Sequence, residues 1–181
     1  MVRILFLCVG NMFRSQVAES FAKHYGGDLV EAMSAGTWLE SFSEAERRER
    51  LLKAAEILGI SLEGKSERQL VEEFRKKAME LNKDVLEALR KRINFSLRTP
   101  RKLEPWMLNW ADIIVALCPE AAAACPRSLV KDKKIVVWDI EDPFNKPPSK
   151  VKEIVDEIER NVKKLINEVA SFQKRTQSKG L

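Results

Sequence analysis

Five residues separate Cys8 from Arg14 in Cys8-Val9-Gly10-Asn11-Met12-Phe13-Arg14-Ser15, a spacing that can set a nucleophile beside an anion site. A short loop entering a helix turns successive backbone N–H groups inward, and the helix N-terminus adds positive partial charge, so the hollow attracts a dianion. Gly10 allows backbone shapes closed to other residues, and Asn11 is among the few non-glycine types that tolerate positive φ. Arg14 offers a planar fork to two oxygens of a tetrahedral anion, as lysine cannot. The same field favours an ionised sulfur on Cys8, poised to attack the atom held in the loop. Val9, Gly10, Asn11, Met12, Phe13 and Ser15 are the expected phosphate-binding positions. The bland alternative makes Cys8 the last core residue of a strand.

Three further sets of residues could join that chemistry. An aryl or alkyl oxide leaves poorly without a proton, and the single histidine, His24, falls inside a helical pattern, so a carboxyl group must donate. Asp142, followed by Pro143, is the candidate, with Asp139 and Glu141 as stand-ins and an ordinary Asp-Pro turn as the alternative. Cys118 and Cys125, two thiols in a chain with no secreted disulfide framework, pack as small hydrophobes on the plainest reading. Trp38 and Phe144 could wall a groove for an aromatic ring, although Trp38 reads nearly as well as a core residue. No Cys/His set has metal-ligand spacing, so neither a metal nor a cofactor is expected.

These residues need a scaffold, and the hydrophobic pattern supplies one. Residues 3–8 form a continuous apolar run of strand length, and residues 15–25 form a helix closed by Gly26-Gly27. Leu29–Ser34 is a second strand, and residues 44–58 a helix with Gly59 at its cap. Asp112–Cys118 and Lys134–Asp139 are two more strands, with a short helix around Pro105–Trp110 before the third. Val151–Val169 is an amphipathic helix carrying Val151, Ile154, Val155, Ile158, Val162, Leu165, Ile166 and Val169 on one stripe. Fully apolar strands alternating with helices predict an α/β fold, an open four-stranded parallel sheet with helices on both faces. Ligands of such sheets sit beyond the carboxyl ends of the strands, where Cys8, Cys118 and Asp142 would converge.

Residues 61–98 interrupt the alternation. Ser66 and Gln69 make a capping box, after which Leu70, Phe74, Ala78, Leu81, Val85, Leu89 and Ile93 recur at helical spacing. One long helix, or a pair broken near Asn82-Lys83-Asp84, fits; the insertion serves as a packed extra element, a lid or a dimer surface. One domain is expected over 1–172 with this insertion, followed by a polar, frayed tail over 173–181.

With 181 residues, 45% hydrophobic and 33% charged, the chain has the composition of an ordinary globular protein. The net charge of +5 is scattered, with no basic stripe interleaved with aromatics, so no nucleic-acid partner is expected. No apolar run resembles a signal-peptide core or a membrane span, which predicts a cytoplasmic protein whose cysteines stay reduced. The oligomeric state is not written in the pattern.

The loop resembles the phosphate loop of the low-molecular-weight protein tyrosine phosphatases. Ser34-Ala35-Gly36-Thr37 and Asp142-Pro143-Phe144 resemble that family's later motifs in the same order, so the likeness covers most of the chain except 61–98. The resemblance implies a flavodoxin-like strand order, Cys8 as nucleophile through a phosphocysteine intermediate, and Arg14 as transition-state clamp. It further implies that Ser15 hydrogen-bonds the thiolate, Asn11 braces the loop, and Asp142 protonates the leaving group and then activates water. The substrate would be a phosphorylated protein, through phosphotyrosine, or an aryl phosphate.

Two positions depart from that pattern. Phe13 stands where the phosphatases usually carry a second cysteine, and Gln16 where they tend to carry proline. Arg14-Ser15-Gln16-Val17-Ala18-Glu19 resembles the related thioredoxin-coupled arsenate reductases, whose relay cysteines have the spacing of Cys118 and Cys125; thioredoxin would then be a partner. Phe144 argues for an aryl groove, so phosphate ester hydrolysis is the first expectation and arsenate reduction the second. A phosphate-binding module without turnover is the third, because of Phe13.

Overall fold

Strand β1 (Val2–Cys8) is apolar along most of its length because both of its faces are covered. Its side chains alternate with the period of two: Ile4, Phe6 and Cys8 enter one core, Leu5 and Leu7 another. The computed structural model of the protein describes residues 1–178. Strands β2 (Val30–Gly36), β3 (Ile113–Ala116) and β4 (Lys134–Val137) join β1 in an all-parallel sheet of order β2-β1-β3-β4. The order reverses between β1 and β3, which opens a crevice at their carboxyl ends.

Helices α1 (Arg14–Gly26), α5 (Lys83–Ile93) and α9 (Pro148–Ser178) cover the Phe6 face. The short helices α6 (Pro105–Trp110), α7 (Pro119–Ala123) and α8 (Arg127–Val130) cover the Leu5 face. All eight apolar residues of the expected stripe on α9 are buried, each contributing about 1.5–3 kcal/mol of transfer free energy. The helix itself is longer than the 151–169 expected. It starts at Pro148, where a missing N–H costs nothing, and runs to Ser178. Residues 173–178, expected to fray, are therefore helical, and 179–181 lie outside the described residues.

The insertion resolves into two helices. Helix α4 (Glu67–Leu81) ends and α5 begins at Asn82, whose side-chain amide donates back to the Ala78 carbonyl at 2.9 Å and so competes with helix continuation. Helix α4 starts with the Ser66/Gln69 capping box, and α3 (Glu44–Leu58) with a second one, Ser43/Glu46. Leu86 and Leu89 anchor α5 in the main core. A four-residue helix, α2 (Trp38–Ser41), joins β2 to this region.

Arg92 of α5 also pairs with the buried Glu159 of α9, which Tyr25 of α1 and Lys163 share. Burial acts to raise the Glu159 pKa, but hydrogen bonds from Tyr25, Lys163 and Arg92 prevail and hold it at about 2. A carboxyl depressed in the fold stabilises above its unfolded pKa, and that contribution fades as pH falls toward the folded value. Glu159→Gln should lower the melting temperature near neutrality, and the gap to wild type should shrink between roughly pH 5 and pH 2. Thermal unfolding followed by circular dichroism at both ends of that window checks the sign.

Candidate active site

The loop between β1 and α1 is held from three sides. Asn11 adopts φ +48°, and its backbone N–H points at the Cys8 Sγ at 3.2 Å. Its side-chain amide donates to Ser15 Oγ at 2.8 Å and to Ser34 Oγ at 3.0 Å, while its Oδ1 accepts the Arg101 N–H at 2.8 Å. Ser34 in turn donates to Glu19 Oε2 at 2.7 Å. The proton of Ser34 is thus spent on Glu19 and those of Asn11 on the two serines, so the free hydroxyl proton of Ser15 is left to face the Cys8 sulfur 3.0 Å away. Burial acts to raise the Glu19 carboxyl, but bonds from Arg98, Lys23 and Ser34 outweigh it and keep it below the usual carboxylate range.

Gln16 is a further brace. Its Nε2 donates to the Asn11 carbonyl at 2.7 Å and to the Arg98 carbonyl at 3.0 Å, and its Oε1 accepts the Arg98 N–H at 2.8 Å. The residues after α5 then run beside β2, with Gly36 N–H donating to the Arg101 carbonyl and Leu103 N–H to the Gly36 carbonyl, both at 2.8 Å. Gln16, Glu19 and this strap were not legible as site residues. The one trace in the sequence is a pair of polar side chains, three apart, on a helix face otherwise made of Val17, Ala18, Phe21 and Ala22.

Gly36 presses against the loop from β2. A Cβ there would stand 3.0 Å from the Gly10 carbonyl carbon and from the Val9 oxygen, both backbone atoms. Gly36→Ala should displace the loop and weaken oxyanion binding or turnover by about 10- to 100-fold. Phosphate titration by calorimetry, with a melting curve alongside, separates that loss from unfolding.

Arg14, 7% exposed, opens α1 and leans toward the segment after β4. Its Nη1 donates to the Ile140 carbonyl at 2.9 Å and its Nη2 to Asp142 Oδ2 at 2.8 Å. The other Asp142 oxygen accepts the Phe144 N–H at 2.9 Å. Asp142 therefore sits within reach of the loop, and Phe144 lies half exposed beside it. Phe13 turns its ring against the main core and Val9 packs on the opposite one. Met12 folds over Gly10 and contacts the small cluster between α3 and α4. Trp38 does not stand free as a groove wall: its Nε1 donates to Glu67 of α4 at 3.0 Å, and its ring meets Phe42 edge-on at 5.4 Å.

Cys118 is the N-cap of α7, two residues past β3, and Cys125 follows the same short helix. Both are buried free thiols in the core on the Leu5 face, and Cys125 Sγ lies 3.5 Å from the Ala121 carbonyl. Burial pushes the Cys118 thiol up, partly offset by the Ala121 N–H and the positive charge of Arg14, while Cys8 and Glu120 act in the same direction as burial. Leu117 N–H donates to the Leu7 carbonyl at 2.7 Å, so Cys118 and Cys8 lie at neighbouring strand ends. Burial, with Glu40 nearby, pushes Cys125 up to about 11. Among the described residues, no cluster of His, Cys, Asp or Glu could hold a metal ion, and no helix is long and apolar enough to cross a membrane.

A nucleophile, a buried guanidinium and a carboxyl group around a strand-to-helix loop can bind a tetrahedral oxyanion and transfer its central atom to sulfur. A family model described as low molecular weight phosphotyrosine protein phosphatase matches residues 3–81 and 73–177. The chain belongs to that family. Curated relatives of this family member include an arsenate reductase of Bacillus cereus (strain 03BB102), 30% identical over 162 residues, 89% of this chain and 91% of that protein. Among solved structures, a Corynebacterium glutamicum thioredoxin-dependent arsenate reductase is similar at TM-score 0.58 and 24% identity, over 94% of this chain and 62% of that one. The arginine phosphatase YwlE, of Bacillus subtilis, is similar at TM-score 0.61 and 18% identity, over 93% of this chain and 96% of that one. At those identities the two structures speak for the fold. The family is enzymatic, and its members include both reductases and phosphatases.

Proposed function

We propose that this family member reduces arsenate, with Cys8, Cys118 and Cys125 as a thiol relay that a dithiol protein of the thioredoxin type regenerates. The observation that carries this reading is the placement of two free thiols flanking α7, with Cys118 next to Leu117, whose N–H donates at 2.7 Å to the carbonyl of Leu7, the neighbour of Cys8. The similarity to arsenate reductases along 89% of the chain supports it. The sequence pattern put phosphate ester hydrolysis first, on Phe144; the thiol placement and the relatives reverse that order.

Cys8 sulfur attacks arsenic held by the loop and Arg14; an As–O bond breaks and the oxygen leaves as water, with Asp142 as proton donor. Cys118 thiolate then attacks Cys8 sulfur. An S–S bond forms, the S–As bond breaks, and its electron pair stays on arsenic, which departs as arsenite. Cys125 next attacks Cys118, freeing Cys8 as a thiol and leaving a Cys118–Cys125 disulfide for the external dithiol to reduce. The helix between the two thiols is Pro119–Ala123, five residues, and a disulfide across it needs Cα atoms about 4.4–6.8 Å apart. The last internal step also has to bring Cys125 out of the burial that raises its pKa. Arsenate turnover with thioredoxin, its reductase and NADPH tests the reading, and a preparation that binds arsenate yet never oxidises NADPH would overturn it.

A second reading, hydrolysis of phosphate monoesters through phosphocysteine, draws on the Arg14–Asp142 contact and the exposed ring of Phe144. There the acid protonates the ester oxygen as the P–O bond breaks. Asp142→Asn should cut para-nitrophenyl phosphate hydrolysis by about 10²- to 10⁴-fold. An undiminished rate removes Asp142 from the acid role.

A further inference from the structure

Helices α3 and α4 bury little against the rest of the molecule. Their shared cluster consists of Ala55, Leu70 and Phe74, with Leu51, Ala54, Leu58, Ile60 and Leu62 packed around it. Among the described residues, the one member of that cluster from outside 51–74 is Met12 of the anion loop. A second tether joins the same helices to the mouth of the site. Thr37 N–H donates to the Cys8 carbonyl at 3.0 Å, so Trp38 stands one residue from the nucleophile's backbone, and its indole N–H is held by Glu67 in the first turn of α4. Phe42 continues this wall, with Trp38 against its ring and the Arg50 guanidinium 3.8 Å from its centroid. Met12 and Trp38, which could otherwise flank an entering ring, are thus both occupied by one helical pair.

We propose that α3 and α4 form a size-selecting cap on the anion loop, seated through Met12 and Trp38, which admits free oxyanions and small phosphate esters and turns phosphorylated proteins away. The proposal rests on the loop being an oxyanion site and is independent of whether arsenate is reduced there. The cap is built to loosen: three buried side chains make a small core, while Leu52, Ile57 and Leu81 remain exposed on the pair. Elements with so few buried contacts open at low free energy. Its far end is tied at Asn82, where the chain turns into α5.

Alkylation of Cys8, read by mass spectrometry of its peptide, tests this without any turnover. In the wild type, iodoacetate should label Cys8 readily and inorganic phosphate should protect it, whereas fluorescein maleimide should label it slowly and a phosphotyrosine peptide should protect poorly. Glu67→Ala cuts the exposed tether and Phe74→Ala empties the cluster. Each should raise the maleimide rate by about tenfold, leave the iodoacetate rate within about twofold, and let the phosphopeptide protect. Because Glu67 is exposed, its variant retains the fold even if Phe74→Ala does not. The cap is overturned if the ratio of the two labelling rates is the same in wild type and Glu67→Ala, or if the phosphopeptide protects the wild type as well as phosphate does. Failure of inorganic phosphate to protect any form instead rejects the oxyanion site itself.

Discussion

Cys8→Ser is expected to abolish arsenate reduction and aryl phosphate hydrolysis alike, by at least about 10⁴-fold in kcat/KM. Sulfur at the end of β1 receives a backbone N–H from Asn11 and faces the hydroxyl of Ser15, two donors arranged for an anionic nucleophile. A serine hydroxyl in the same place stays protonated at neutral pH and cannot form the sulfur–sulfur bond on which reduction depends. The loop should survive the exchange, because Asn11, Gln16 and Gly36 hold it through groups other than the sulfur. Phosphate binding should therefore be retained within a few-fold while turnover disappears. Parallel binding and rate measurements on one preparation check this; a variant that turns over either substrate at the wild-type rate removes Cys8 from the mechanism.

Cys118→Ser should divide the two activities. Reduction needs a second thiol to take the Cys8 sulfur from arsenic, so steady-state arsenate turnover should fall by about 10³-fold or more. Hydrolysis needs only water at that stage, so any para-nitrophenyl phosphate activity should stay within about threefold of wild type. The serine fits the space, since Cys118 is buried at the N-cap of α7, a position where serine is favoured. Cys125→Ser should behave differently again: one arsenate is reduced per chain and the protein stops with Cys8 and Cys118 joined, two hydrogens lighter by mass. If Cys118→Ser reduces arsenate at full rate, the relay is wrong whatever the fate of Cys8.

The strands and the long helix were legible because both depend on local periodicity. Ile4 to Cys8 are apolar on both faces, and the stripe from Val151 to Val169 repeats over five turns. The loop was legible because Gly10, Asn11, Arg14 and Ser15 are constrained within a few residues of Cys8. What stayed hidden is held by distant partners. Gln16 meets Arg98 across 82 positions, and Trp38 meets Glu67 across 29. Helices α2, α7 and α8 have four or five residues each, too few for any period to show. The aromatic side chain at position 38 reads either as a groove wall or as a packed ring, and its partner Glu67, on a helix of the insertion, carries no signal of the pairing.

The strap from Arg98 to Leu103 ties the reacting loop to whatever precedes it in the chain. Its carbonyls and amides are gripped by Gln16, Asn11 and Gly36, so adding or deleting a residue between α5 and α6 would shift that grip out of step with the nucleophile. The bend at Gly64, between α3 and α4, has φ +70° and open space around it. A reporter or affinity label spliced in at that bend leaves the register of the strap intact, whereas the stretch around Thr99 is the poorest place on the chain to open for grafting.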